Sequence, residues 1–238
     1  MIYAGILAAG IGARMHRQDM PKPFLPLGGK PIIIHTLEQF YINPRIDRLI
    51  IVAPDTWKLY AEDLIHKYGT MRKEVYVITG GENKTVSIQM IVKYIASSWG
   101  IHDGDLILTH DAVRPFVTQR MIDENIDTAE KYGAANTVMT TNDTIIVTQD
   151  GATLSEIPPK HIMLAAQTPQ TYNLITLAEV FEKAAQEGIP LTLETELSRF
   201  YAQQGHTVRL IMGEYSNMKI INPYDLEVAN ALLKERTP

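Results

Sequence analysis

Residues 1–15 read MIYAGILAAGIGARM, an apolar run that breaks into glycines and an arginine. Ile2–Ala8 predicts a buried strand, and Gly10 and Gly12 predict a turn at its carboxyl end. A dinucleotide-binding turn would continue to a third glycine, where this chain has Met15 preceded by Arg14. A P-loop needs Gly-Lys-Ser/Thr, and Gly29-Lys30-Pro31 departs from it at the last position. What remains is a loop with two glycines, exposed backbone N–H groups and a cation, which suits a polyphosphate. Pro21-Lys22-Pro23 adds a second cation on a restricted backbone. Arg14 and Lys22 are therefore candidate catalytic residues, able to neutralise charge that builds on phosphorus during transfer.

Outward from this loop the chain alternates apolar β-type runs with amphipathic stretches. Strands are expected at Arg48–Ala53, Val75–Thr79 and Leu106–Thr109, and helices at Pro31–Phe40, Asp55–Tyr68, Val86–Ile95 and Met121–Lys131. Strand, loop and helix in repetition imply a mostly parallel sheet with helices on both faces. After Ala134 the pattern turns β-rich, and Asp150-Gly151 predicts a hairpin between Thr144–Thr148 and Thr153–Ile157. Such an arm has open edges unless another chain covers it, which suggests a homodimer. The α/β pattern then resumes with helices at Asn173–Gln186 and Glu194–Gln204, a strand at Val208–Met212, and a last helix opened by Asn222-Pro223. One domain, 1–238, with an arm at about 139–162 accounts for all of it.

Composition narrows the function. The chain has 238 residues, a formal net charge of −5 and no run of Lys or Arg, which argues against nucleic acid or an anionic membrane as partner. It has no cysteine, so disulfides, thiol catalysis and thiolate metal sites are all excluded. The apolar start ends at Gly10, far short of the roughly 18–20 residues of a membrane span, and a cytoplasmic protein is expected.

Ligands of an open parallel sheet bind beyond the carboxyl ends of its strands. That rule selects Ala9–Arg14, Gly80–Ser87, Asp111–Arg114, Gln167–Gln170 and Gly213–Lys219. Asp111 is the candidate carboxylate for Mg²⁺ or substrate, whereas Asp103-Gly-Asp105 precedes its strand and reads as a turn. His110 is expected to be packed or hydrogen-bonded, because the seven histidines show no metal-ligand spacing.

The segments LAAGIGARM with PKPFLPLGGKPIIIHTL, GGENKTVSI, HDAVRPF, QTPQTY and GEYSNMKIINPYDLEVA, in this order, resemble the sugar-alcohol phosphate cytidylyltransferases over almost the whole chain. The resemblance implies a Rossmann-like, three-layer α/β/α nucleotidyltransferase fold and the condensation of CTP with a phosphomonoester, with Mg²⁺ on the triphosphate. By motif match, Leu7, Ala8, Ala9, Gly10, Gly12, Gly80, Gly81, Ser87 and Ala112 would bind CTP. Lys219 would join Arg14 and Lys22 as a catalytic cation beside the attacking phosphate, and Asp111, Arg114, Thr144, Lys160 and Thr168 would face the polyol phosphate. GEYSNMK and QTPQT resemble the ribitol-5-phosphate branch more closely, so that substrate and teichoic-acid precursor synthesis are the first expectation. The methylerythritol-phosphate branch of isoprenoid synthesis is the alternative, and a nucleotide-binding module without turnover is the third reading. The chain departs from the family pattern at Pro23, where glutamine is common, at Lys84 and Lys160, where arginine is common, and at Glu196, where aspartate is usual.

Overall fold

A computed structural model describes residues 1–9, 20–69, 73–192 and 196–236. The central sheet has seven strands in the order β5-β4-β1-β6-β8-β7-β9. They are β1 (Ile2–Leu7), β4 (Arg48–Ala53), β5 (Val75–Thr79), β6 (Leu106–Asp111), β7 (Ala134–Thr140), β8 (Leu164–Asn173) and β9 (Arg209–Met212). A two-stranded hairpin, β2 (Pro26–Leu27) with β3 (Lys30–Pro31), stands apart from it. The helices are α1 (Ile32–Ile42), α2 (Lys58–Tyr68), α3 (Lys84–Trp99), α4 (Gln119–Tyr132), α5 (Leu174–Gln186), α6 (Leu197–Gln203) and α7 (Pro223–Arg236). The expected helix from Asp55 divides, its first turn being a 3-10 turn at Asp55–Trp57 ahead of α2.

Side chains alternate across a strand, so each buried strand feeds two cores. Ala4, Ile6, Leu49, Ile51 and Leu108 face α1, α2 and α4 on one side. Tyr3, Ile50, Val52 and Ile107 face α3, α5 and α6 on the other. This produces the three layers. At Gly5 the α3 layer rests on bare backbone, since a Cβ there would stand 2.7 Å from Ile91 Cδ1. Asn83, Thr118, Asn173 and Asn222 cap α3, α4, α5 and α7 by accepting from backbone N–H groups three residues on.

Two expectations need correction. Gln167–Gln170 is not a loop beyond a strand; it lies inside β8, which runs antiparallel between β6 and β7. A proline is out of place in a central strand because it lacks a donor, and here the β7–β8 register shifts between Asn136 and Val138 to admit Pro169. The Thr168–Pro169 peptide is cis. The arm, in turn, carries no pair of regular strands: Val147 and Glu156 form a single antiparallel bridge. Its turn is nonetheless well built, with Asp150 Oδ1 accepting from Ala152 N, Thr153 N and Thr148 Oγ1, and Gly151 at φ 75°. Exposed on both faces, two strands gain too little burial to extend a ladder.

Candidate active site

The chain passes from β1 to β4 and β5 on one side and then crosses to β6 on the other, so β1 and β6 flank the topological switch point. Leu7 and Asp111 are register partners there, at the carboxyl ends of both strands. The Leu7 carbonyl accepts from Ala112 N at 3.1 Å, and Ala8 N donates to the Val52 carbonyl at 2.8 Å. Gly80 meets the same edge, and a Cβ on it would come within 2.5 Å of Ala9 Cβ. Gly81 N donates to Ser87 Oγ at 3.1 Å, which commits that hydroxyl to the loop backbone. Thus Leu7, Ala8, Ala9, Gly80, Gly81, Ser87 and Ala112 lie together along the carboxyl ends of β1, β5 and β6, while Gly10, Gly12 and Arg14 lie outside the described residues.

Asp111 ends β6 rather than following it, because the ladder continues through Ile6–His110 and Leu7–Asp111. Its Oδ2 pairs with Arg114 Nε at 3.0 Å and with Lys219 Nζ at 3.2 Å. Burial alone would raise the pKa of this carboxyl, but the charges of Lys84, Lys219 and Arg114 outweigh it and hold the group well below the usual carboxylate range. Asp111 N donates to Thr168 Oγ1 at 3.1 Å. Five of the expected residues, Asp111, Ala112, Arg114, Thr168 and Lys219, therefore form one cluster. Lys22 opens a 3-10 turn, Lys22–Phe24, anchored by Phe24 stacked on Trp57 with centroids 5.5 Å apart. Its Nζ lies 3.5 Å from the Ile221 carbonyl, on the segment that carries Lys219.

Thr144 and Lys160 are exposed on the arm, and Lys160 Nζ donates to the Asn142 carbonyl at 2.6 Å. The Tyr215 hydroxyl connects that arm root to the Lys219 segment, standing 3.1 Å from Thr140 Oγ1 and 3.2 Å from Asn142 Oδ1. Among the described residues, no three His, Cys, Asp or Glu side chains stand close enough together to hold a metal ion. The second Asp of Asp103-Gly-Asp105 builds the turn into β6, accepting from His102 N at 2.9 Å.

His110 is fully buried, with Nδ1 3.0 Å from Thr168 Oγ1 and Nε2 3.1 Å from the Arg114 carbonyl. Burial pushes its pKa down to about 4. The unfolded chain protonates this group near 6.5, so between pH 6.5 and 4 the unfolded state binds more protons. Stability should fall as pH drops through that window, by about 3 kcal/mol in all. Thermal midpoints of wild type and His110→Gln, compared from pH 7 to 4, should converge at acid pH; parallel curves would show that His110 does not titrate there.

Lys84, Gln170 and Asn217 fall within the segments that the sequence selects, but carry no individual role in that reading. Lys84 Nζ donates to Gln170 Oε1 at 3.1 Å, and Gln170 Nε2 donates to Glu196 Oε1 at 3.1 Å, so the longer acid at 196 keeps a partner. One signal for Lys84 was available: a cation at the first position of a helix opposes the helix dipole and needs another reason to be there.

At the switch point the edges of β1 and β5 meet a carboxylate, Asp111, that pairs with two cations. A family model for IspD, 2-C-methyl-D-erythritol 4-phosphate cytidylyltransferase, matches residues 2–235, and the chain belongs to that family of cytidylyltransferases. The chain is similar to the crystal structure of 4-diphosphocytidyl-2C-methyl-D-erythritol synthase from Anaerococcus prevotii, with 26% identity, a TM-score of 0.80, and 98% of this chain and 96% of that one covered. The 2-C-methyl-D-erythritol 4-phosphate cytidylyltransferase of Francisella tularensis superposes with a TM-score of 0.79 at 24% identity, covering 97% of this chain and 98% of that one. For the Thermus thermophilus enzyme of the same description the values are 0.75 and 23%, over 98% of this chain and all (100%) of that one. Membership in a family of enzymes sets aside the reading as a binding module without turnover. Among the described residues, no helix is long and apolar enough to cross a membrane.

Proposed function

We propose that this cytidylyltransferase transfers CMP from CTP to the phosphate of a sugar alcohol, forming a CDP-alcohol and releasing pyrophosphate. The observation that carries the reading is the pairing of Arg114 and Lys219 on Asp111, beside Leu7 at the switch point. A phosphomonoester is largely dianionic near neutral pH, so its oxygen attacks the α-phosphorus without a general base. The α–β phosphoanhydride bond breaks, and pyrophosphate leaves with the electron pair. The protein's task is then alignment and charge neutralisation. Lys22 and Arg14 are assigned to the α-phosphate, and Lys219 to the attacking phosphate. Asp111 keeps Lys219 and Arg114 oriented, Thr168 supports the Asp111 backbone, and Thr144 and Lys160 serve the polyol phosphate from the arm root.

The donor set fits a divalent ion that arrives on the triphosphate. Asp111 offers one carboxylate, and its Oδ2 already faces two cations. Mg²⁺ is accordingly part of the substrate, Asp111 is the carboxylate that would face it, and its chemistry is to shield the phosphate charge.

The substrate best supported is 2-C-methyl-D-erythritol 4-phosphate, which the matching family and the similar structures name. Ribitol 5-phosphate is a second reading, supported by the resemblance of Gly213–Lys219 and Gln167–Thr171 to that branch. Pyrophosphate release with each of the two alcohols separates them.

We also propose that the chain works as one domain and, in the cytoplasm, as a homodimer joined through its arm. Ile146, Leu154, Ile157 and Ile162 on the arm are more than half exposed, as is Leu210 on the sheet-edge strand β9. Apolar exposure along an arm and an open sheet edge suits a self-complementary interface. Light scattering at micromolar concentration should report a dimer, and Ile157→Glu with Ile162→Glu should shift it to monomer; a monomeric wild type would refute the arm's role.

A further inference from the structure

Asn217 stands two residues before Lys219 and is fully buried. Its side-chain nitrogen donates to Gln167 Oε1 at 3.0 Å and to the Thr168 carbonyl at 2.8 Å, both on β8. Its backbone carbonyl accepts from Arg114 Nη1 at 2.9 Å, and its backbone N–H donates to the Glu214 carbonyl at 3.0 Å. Beyond Lys219, Ile220 N donates to the Val113 carbonyl at 2.9 Å, so the segment is fastened on either side of that lysine. Asn217 Oδ1, however, has no hydrogen-bond partner among the described residues. A buried amide with an unpaired oxygen is a poor choice for stability alone, because that oxygen is desolvated with no return. Its retained value lies in the two donations and in where they hold the chain.

Lysine has a flexible four-carbon stem, and the side chain of Lys219 is 39% exposed. An ammonium on such a stem is directed only as well as its backbone is held. The same residue also receives Arg114, through a backbone carbonyl that any residue at 217 would supply. We propose that Asn217 is a positioning residue: it locks the segment onto β8 and so sets Lys219 for the phosphate of the incoming alcohol. The proposal rests on the reading of Lys219 as the phosphate contact.

The test compares Asn217→Ala, Lys219→Ala and the double variant by pyrophosphate release. CTP, Mg²⁺ and whichever of the two alcohol phosphates the wild type accepts are supplied, and CTP binding is followed by calorimetry. Asn217→Ala should lower kcat about thirtyfold or more with CTP affinity within threefold, and the double variant should be no worse than Lys219→Ala within threefold. Multiplying losses in the double variant, or a folded Asn217→Ala with kcat within threefold of wild type, would overturn the proposal. If Asn217→Ala does not fold, Gln167→Leu removes one of the two acceptors and should show a smaller loss, about threefold to tenfold, that is again absent in the Lys219→Ala background. A loss in Gln167→Leu that persists in that background, or no loss at all, would count against it. Wild-type turnover in Lys219→Ala would instead refute the functional reading of Lys219, which keeps the two failures distinct.

Discussion

Lys22→Ala should lower turnover by about a thousandfold while leaving CTP affinity within about threefold. On the proposed reading, ground-state CTP is held by contacts other than Lys22 and by the ion that it carries. A cation aimed at the α-phosphorus matters most when charge accumulates there, so its removal is felt in kcat. Lys22 sits on a constrained turn. Pro21 and Pro23 restrict the backbone on either side, Phe24 packs against both Trp57 and Tyr60, and the ammonium reaches the Ile221 carbonyl on the segment of Lys219. Single-turnover pyrophosphate release with parallel CTP calorimetry checks this. Equal losses in affinity and turnover would make Lys22 a ground-state contact, and unchanged turnover would remove it from the mechanism.

Asp111→Asn should cost about 3–5 kcal/mol of stability, read as a fall of roughly 10 °C in Tm at pH 7. Asparagine has the same shape, so the loss would come from charge. Arg114, buried with a side-chain exposure of 11%, would lose its counter-ion while Lys219 and Lys84 remained as neighbouring cations. The sign with pH follows from the same arrangement. The folded carboxyl has a pKa below its unfolded value, so its stabilisation is fully present above about pH 4 and is lost as pH falls toward the folded pKa. Adding CTP should restore more Tm to the variant than to wild type, because the triphosphate supplies the missing negative charge. Denaturation at pH 7 with and without CTP tests both parts. An unchanged Tm without nucleotide would mean that the three cations do not depend on Asp111.

The parallel half of the sheet is legible because its strands are buried on both faces and therefore appear as continuous apolar runs such as RLIIVA and LILT. Gln167–Gln170 hides its strand character behind polarity and a proline. Within the sheet those polar groups are consumed by distant partners: Thr168 by Asp111 and His110, Gln170 by Asn136, Lys84 and Glu196, and the Pro169 carbonyl by Thr137. The arm fails in the opposite sense, since its alternating pattern is real but has no second layer to pack against. For the site, the rule that ligands meet the ends of parallel strands selects Asp111, Gly80, Gly81 and Lys219 from local order alone. It spans Asn217 within Gly213–Lys219 without revealing its role, which depends on residues 49 and 103 positions away. Lys84 is visible in sequence as a charge at an unfavourable helix position and as a lysine where the resembling family commonly has arginine; its electrostatic coupling to Asp111 emerges only in the folded chain.

The most direct test of the central claim is pyrophosphate release with CTP and Mg²⁺, supplied in parallel with 2-C-methyl-D-erythritol 4-phosphate, with ribitol 5-phosphate and with no alcohol. Release that depends on one alcohol phosphate, with a CDP-alcohol formed in equal amount, is the predicted result and names the substrate. CTP bound by the folded protein with no release in any of the three tubes would contradict cytidyl transfer to these alcohols.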